Sequence, residues 1–231
     1  MKFAQTDFMT LNNCFNRSIQ QTEDGSHTIY IPDIDEHYHS IHGAIQESNH
    51  VFIQNGLNVC KKNDVTILEI GFGTGLNALL TMLNKREKTI NYIGIEKYPL
   101  NNEEIKTLNY GSMLNHELFL QIHQCEWDKP IELAERFCLS KLHVDFLDMD
   151  FTSLPYFDLI YFDAFAPNKQ EDMWQESYLR KIAAHTKKGG IFVTYCAKGE
   201  VRRRLERCGY KMTRIPGPPG KKEMLSGVKF D

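Results

Sequence analysis

Short apolar runs alternate along the chain with stretches that carry apolar residues at helical spacing. Val65-Thr66-Ile67-Leu68-Glu69-Ile70 is a β-branched run that ends in glycines, and Leu76 to Leu83 then follows a helical period. Asn91 to Glu96 reads as the next strand, and Pro99 opens a helix at its favoured early position, with apolar residues recurring through Leu120. Further strands are expected at 139–147, 157–162 and 190–195, and helices at 173–185 and 199–208. Upstream, Asp24-Gly25 signals a turn before the strand-like Ser26 to Ile31, and a helix is expected over 41–56. Near the end, Pro216-Gly217-Pro218-Pro219-Gly220 separates two strand-like pieces, which predicts an antiparallel hairpin. Strand and helix in alternation predict an α/β protein built on a doubly wound, mostly parallel seven-stranded sheet. Residues 1–60 are expected to form an N-terminal extension covering the site, and residues 61–231 the main domain.

A chain of 231 residues, 42% hydrophobic and 25% charged, fits one α/β domain and excludes disordered or collagen-like classes. No run approaches the roughly 18 apolar residues of a membrane span. Met1 to Asp7 lacks the apolar core of a signal peptide, so the expected location is the cytoplasm, with no membrane partner. Cys14, Cys60, Cys125, Cys138, Cys196 and Cys208 form no C-x-x-C pair, which predicts free thiols. Charge is uneven. From Ala197 onward ten Lys+Arg stand against four Asp+Glu, whereas the preceding 196 residues carry 17 against 26. A basic edge facing nucleic acid has this signature, and so does a solvated helix face.

Candidate chemistry gathers where predicted strands meet their loops. Glu69-Ile70-Gly71-Phe72-Gly73-Thr74-Gly75 joins the first strand of the main domain to its helix, in the crevice where open α/β sheets bind nucleotides. The third glycine comes one residue too early for a dinucleotide fingerprint, and no G-K-[ST] follows. Glu69 before the glycines suits a ligand with a cationic amino-acid end. Glu96 ends the next strand, where a carboxylate can accept hydrogen bonds from both ribose hydroxyls. Asp148, with Asp145 and Asp150 as competitors, ends a further predicted strand, where a resemblance to methyltransferases implies an acid at the adenine end of the ligand. Tyr161-Phe162-Asp163-Ala164-Phe165-Ala166-Pro167 ends a further strand beside the same crevice. Asp163 with Phe165 and Pro167 resembles a variant of the Asp/Asn-Pro-Pro-aromatic motif of amino-group methyltransferases, and that resemblance implies that Asp163 positions and deprotonates a nitrogen nucleophile while Phe165 and Pro167 pack on its carrier.

The glycine loop resembles the first motif of class I S-adenosylmethionine-dependent methyltransferases. The likeness sharpens in Asp163 to Trp174, Lys198-Gly199-Glu200-Val201-Arg202-Arg203 and Gly220-Lys221-Lys222-Glu223-Met224-Leu225, and extends upstream to Asp24-Gly25-Ser26-His27-Thr28 and Glu36-His37-Tyr38-His39-Ser40. In this order these motifs resemble the methyltransferase half of the bacterial tRNA 5-methylaminomethyl-2-thiouridine biosynthesis family, in its stand-alone form. The resemblance implies a Rossmann-like class I fold and methylation of the amine of 5-aminomethyl-2-thiouridine at the tRNA wobble position. It implies S-adenosylmethionine held by Glu69, Gly71, Phe72, Gly73, Gly75, Glu96 and Asp148, with Asp163 at the amine. The chain ends soon after Gly227, so no flavin-dependent half and no FAD are expected.

In that setting Arg202, Arg203, Arg204, Arg207, Lys221 and Lys222 become candidate phosphate contacts, although 202–207 also reads as the wet face of a helix packed through Val201 and Leu205. Tyr38 and His39 are expected in a lid contacting substrate or cofactor, and Tyr195 in the pocket wall. His37, His39 and His42 are spaced loosely enough for a metal, but methyl transfer to an amine needs none and no metal is expected. Nothing calls for an obligate protein partner. Two other readings remain: an aminopropyltransferase or other small-amine enzyme of this fold, and a non-catalytic adenosyl-ligand binder.

Overall fold

The computed structural model describes residues 16–230, so Met1 to Asp7 and Cys14 lie outside the described residues. Three strands, β1 (Ser18–Gln21), β2 (His27–Ile31) and β3 (Glu36–His37), form a small antiparallel sheet. Helix α1 (Ala44–Ser48) runs on as a π-helical stretch, Asn49–Leu57. The alternating body follows as β4 (Asp64–Ile70), α2 (Leu76–Asn84), β5 (Thr89–Glu96), α3 (Asn102–Thr107), α4 (Tyr110–Met113) and α5 (His116–Gln124). Next come β6 (Pro130–Ala134), β7 (Phe137–His143), β8 (Phe157–Phe162), α6 (Glu176–Ala184) and β9 (Thr186–Thr194). Helix α7 (Gly199–Arg207) and the hairpin β10 (Tyr210–Pro216) and β11 (Glu223–Lys229) complete the chain.

The large sheet has the order β10-β11-β9-β8-β4-β5-β7-β6. Strands β7, β5, β4, β8 and β9 are parallel, and the C-terminal hairpin adds to β9 antiparallel. The order reverses at β4, whose two neighbours lead to opposite halves of the sheet. Successive residues feed opposite faces: Ile67, Leu159 and Tyr161 pack with Phe52, Leu57 and Leu79, whereas Leu68, Ile160 and Phe162 pack with Trp174, Leu179 and Leu205. Helices therefore cover both faces, and the doubly wound α/β class holds.

The structure differs from the pattern in four places. An eighth strand, β6, pairs antiparallel on the outer edge of β7, so the large sheet is wider than expected. The helix expected from Pro99 to Leu120 is broken into α3, α4 and α5. Leu108 is extended, and Asn101 and Asn115 cap fresh helix starts with their side chains. The strand expected to reach Leu147 stops at His143, because Asp145 accepts from Leu147 N (2.9 Å) and caps a 3₁₀ turn over Phe146–Asp148. Finally, Ala44, Val51, Phe52, Ile53 and Leu57 belong to the same apolar cluster as α2 and the sheet, so the boundary drawn at residue 60 cuts through one core.

Trp174 ties this core to the loop beyond β8. Fully buried, it packs 4.6 Å from the Phe162 ring and donates from Nε1 to the Phe165 carbonyl (2.8 Å). Trp174→Ala is expected to cost roughly 3–5 kcal/mol in denaturant unfolding. Trp174→Phe, which loses mainly the hydrogen bond, should cost about 1–2 kcal/mol. A Trp174→Phe protein as stable as the parent would show that the indole N–H does not hold the loop.

Candidate active site

Strand register sets the site. Ile70 pairs with Ile95 on one side and Phe162 on the other, and Glu96 pairs with His143, so the loops after four parallel strands leave one edge together. They surround a cavity of about 330 Å³. Its walls include Tyr38, His39, Gly71, Phe72, Gly73, Glu96, Tyr98, Asp145, Asp163 and Phe165.

The glycine loop is shaped by what crowds it. Gly71 has φ +88°, and a Cβ there would stand 2.6 Å from the Asp163 carbonyl oxygen. Only glycine lets the ends of β4 and β8 approach so closely. Gly73 lies under the Tyr38 ring, and its N–H donates to Glu96 Oε2 (2.8 Å). The other Glu96 oxygen accepts from Tyr98 N (2.8 Å), so this carboxylate knits two loops together on the cavity wall.

Glu69 sits elsewhere than expected. It has no exposed surface and does not line the cavity; its oxygens accept from Asn77 Nδ2 (2.8 Å) and Tyr92 OH (2.8 Å). Burial holds its carboxyl well above the usual range. Asn77 Nδ2 also donates to Asp163 Oδ2 (2.9 Å), so a single amide bridges the two acids. Turning that amide over would face its oxygen to both carboxyls, which fixes its orientation. Asp163 is pushed up to about 7, first by burial and then by nearby Glu47, with the Asn77 hydrogen bond and Lys221 pulling the other way.

The N-terminal segment closes over this edge. Tyr38 meets Phe165 edge-on at 5.4 Å. His39, buried, shares a hydrogen bond with Thr74 Oγ1 (2.8 Å), and burial brings its imidazole down to about 4, so it is neutral. Arg17 donates to Glu104 and to the Tyr98 carbonyl (2.8 Å), pinning β1 beside the cavity.

Several other expected contacts fall outside the cavity. Asp148 is exposed, because the 3₁₀ turn swings it outward while Asp145 stays on the wall. Gly75 caps α2 from behind the loop. Pro167 is not a wall residue, and Tyr195 spends its hydroxyl on the Ala164 carbonyl (2.9 Å). Lys221 is paired with Glu47 and lies 3.9 Å over the Tyr195 ring, and Arg202 is paired with Glu206 (3.1 Å), so neither presents a free charge. Arg203 and Lys222 are exposed. His37, His39 and His42 turn to Gln20, Thr74 and Glu23 respectively. Among the described residues no His/Cys/Asp/Glu group is arranged for a metal, and no helix is long and apolar enough to cross a membrane. Pattern reading missed Asn77, although a polar Asn77/Thr81 pair one turn apart in an apolar helix was a visible signal.

Residues 96–230, more than half of the chain, match the family described as S-adenosyl-L-methionine-dependent methyltransferase, and the chain belongs to that family. It is also similar to the tRNA 5-methylaminomethyl-2-thiouridine biosynthesis bifunctional protein MnmC of Burkholderia multivorans, at 30% identity over 222 residues, covering 87% of this chain and 33% of that protein. The Burkholderia mallei protein of the same name gives 30% over 230 residues, covering 89% and 34%. The chain thus spans about a third of the length of these relatives. The crystal structure of MNMC2 from Aquifex aeolicus shares the fold, with TM-score 0.73 and 23% identity over 93% of this chain and 71% of that one.

The two acids first expected to share the cofactor can be separated by calorimetry with S-adenosylmethionine. Glu96→Ala removes a wall carboxylate and should weaken binding about 10- to 100-fold, the value of a charge-assisted hydrogen bond or two. Glu69→Gln keeps an acceptor behind the loop and should change affinity less than about threefold. The reverse ranking would put Glu69 back at the cofactor.

Proposed function

We propose that this methyltransferase acts on an amine of a tRNA wobble uridine, converting 5-aminomethyl-2-thiouridine to its 5-methylaminomethyl form. The observation that carries the reading is Asp163, a carboxyl held by Asn77 on the cavity wall, in a chain related to proteins named for that biosynthesis. The cavity suits S-adenosylmethionine: a carboxylate, Glu96, faces it where two hydroxyls need acceptors, and Gly71 and Gly73 put no side chain between the loop backbone and the ligand. Gly71, Phe72, Gly73 and Glu96 would hold it, with Asp145 rather than Asp148 at the adenine end. When bound, that cofactor supplies an electrophilic methyl group on a sulfonium.

The chain's own contribution is to position and deprotonate the amine. An alkylammonium keeps its proton at neutral pH, with an intrinsic pKa of about 10.4 for a lysine-like amine. An ordinary carboxylate would bind that cation and leave the proton on nitrogen. Asp163, raised towards neutrality, is a far better match for accepting it. Phe165 and Tyr38 form an aromatic corner beside the acid, suited to a base turned out of its stack.

The deciding experiment is transfer of a labelled methyl group to tRNA lacking only that methyl, with nucleosides resolved by mass spectrometry. A 5-methylaminomethyl-2-thiouridine peak is expected. Label transferred only to small amines, or to none with cofactor bound, would overturn the acceptor. Because Asp163 must be ionised to take a proton, turnover should rise with pH through about 7 and be lost below it. Asp163→Asn should lower turnover about 10²- to 10⁴-fold and abolish that limb while cofactor affinity persists. An unchanged rate would remove Asp163 from the chemistry.

A further inference from the structure

The basic residues of α7 are not equivalent. Arg202 is paired with Glu206, Arg204 with Glu200, and Arg207 with Glu176, so three guanidinium charges are neutralised within the fold. Arg203 is exposed and makes no ion pair among the described residues. Its Nη1 lies 3.3 Å from where a Cβ on Gly199 would stand, and Arg214 Nη2, reaching over from β10, lies 3.4 Å from the same point. Among the described residues Arg214 pairs with Glu223 alone, at 3.5 Å through its other terminal nitrogen.

Two guanidinium groups thus converge on one spot, within reach of a single small anion. Lys198, immediately before α7, adds a third cation. It donates from Nζ to Asn168 Oδ1 (3.1 Å), on the loop that follows Asp163. Cations packed together at the positive end of a helix repel one another and the helix dipole. An anion between them reverses the sign of each of these interactions, and guanidinium forks match phosphate oxygens in geometry. The segment also follows the end of β9, so it lies on the same edge of the sheet as Asp163.

We infer that Arg203 and Arg214, with Lys198 beside them, form the binding site for a backbone phosphate of the RNA whose nucleotide is presented to Asp163. The inference rests on the tRNA reading above and names the contact that anchors the strand. A phosphodiester is the occupant that the site's place favours, because the cations border the loop carrying the acceptor acid.

The test is tRNA binding and turnover by Arg203→Ala, Arg214→Ala and the double variant across a salt series, with Arg136→Ala as control. Arg136 is paired with Glu87 at the opposite edge of the sheet. Each single variant should bind tRNA about tenfold more weakly, and its log affinity should fall less steeply with log salt by about one per contact removed. Turnover at saturating tRNA and S-adenosylmethionine affinity should stay within about threefold of the parent, as should all properties of the control. If the parent methylates tRNA and the double variant keeps its affinity and salt slope, the inference fails alone. If the parent neither binds nor methylates tRNA, the tRNA reading fails and takes this site with it.

Discussion

A single asparagine amide holds the carboxyl edge of the sheet together at the cavity. Glu69 and Asp163 lie at the ends of adjacent parallel strands, in register through Glu69–Tyr161 and Ile70–Phe162, and both carboxyls are pressed into protein. Two acids so placed repel if both ionise. Asn77 offers one N–H to each, and Tyr92 adds a further donor to Glu69. The arrangement needs Asn77 near the start of α2, and that in turn needs the sharp glycine loop that launches the helix directly from β4. Gly71 is therefore constrained twice: its backbone carries the turn, and its missing side chain admits the Asp163 carbonyl. Loop, helix phase and acid are one structural unit, and none could move without the others.

The segment before β4 is bound into that unit rather than appended to it. Tyr38 lies on Gly73, His39 on Thr74, and Glu47 accepts from Ser40 N (2.7 Å) while pairing with Lys221 of the C-terminal loop. His50 also contacts the Pro216 carbonyl (2.8 Å) from the same segment. N-terminal and C-terminal portions thus meet on the carboxyl edge of the sheet. Glu47 and Lys221 both shift the proton affinity of Asp163, in opposite senses, so the two portions contribute to the electrostatics of that carboxyl as well as to the cavity's surroundings.

What could be read from the sequence was what depends on local periodicity. The runs around Ile67, Ile93 and Ile160 gave the buried strands, and the ends of those strands gave Gly71, Glu96 and Asp163, all of which reach the cavity. Where a side chain's role depends on which way a short turn faces, the pattern was silent. Asp145 and Asp148 lie within one 3₁₀ turn and project differently because Asp145 caps it. The breaks at Leu108 and Leu114 were likewise invisible to apolar spacing, because capping by Asn101 and Asn115 outweighs a continuous hydrophobic stripe. Glu69 looked like a ligand from its place before the glycines, yet strand alternation had already committed it to the interior.

Charge counting met the same limit for a different reason. An excess of Lys+Arg in a segment measures its field only if the counterions lie within the segment too. Glu47 comes from the far end of the chain to neutralise Lys221, and Glu176 on α6 does so for Arg207. What survives among the described residues includes Arg203, which has no ion pair, beside Arg214, held loosely by Glu223 at 3.5 Å, and their placement matters more than their number. Inside the cavity, acids act over hydrogen-bond distances, where burial makes position decisive. Outside it, cations act through solvent over roughly a Debye length, about 8–10 Å at physiological salt. The proposed reaction, which draws in a polyanion and deprotonates one cationic group on it, would need both, kept apart. The edge of this sheet separates them: Asp163 is braced from within by Asn77, and Arg203 and Arg214 lie outside on the elements that follow.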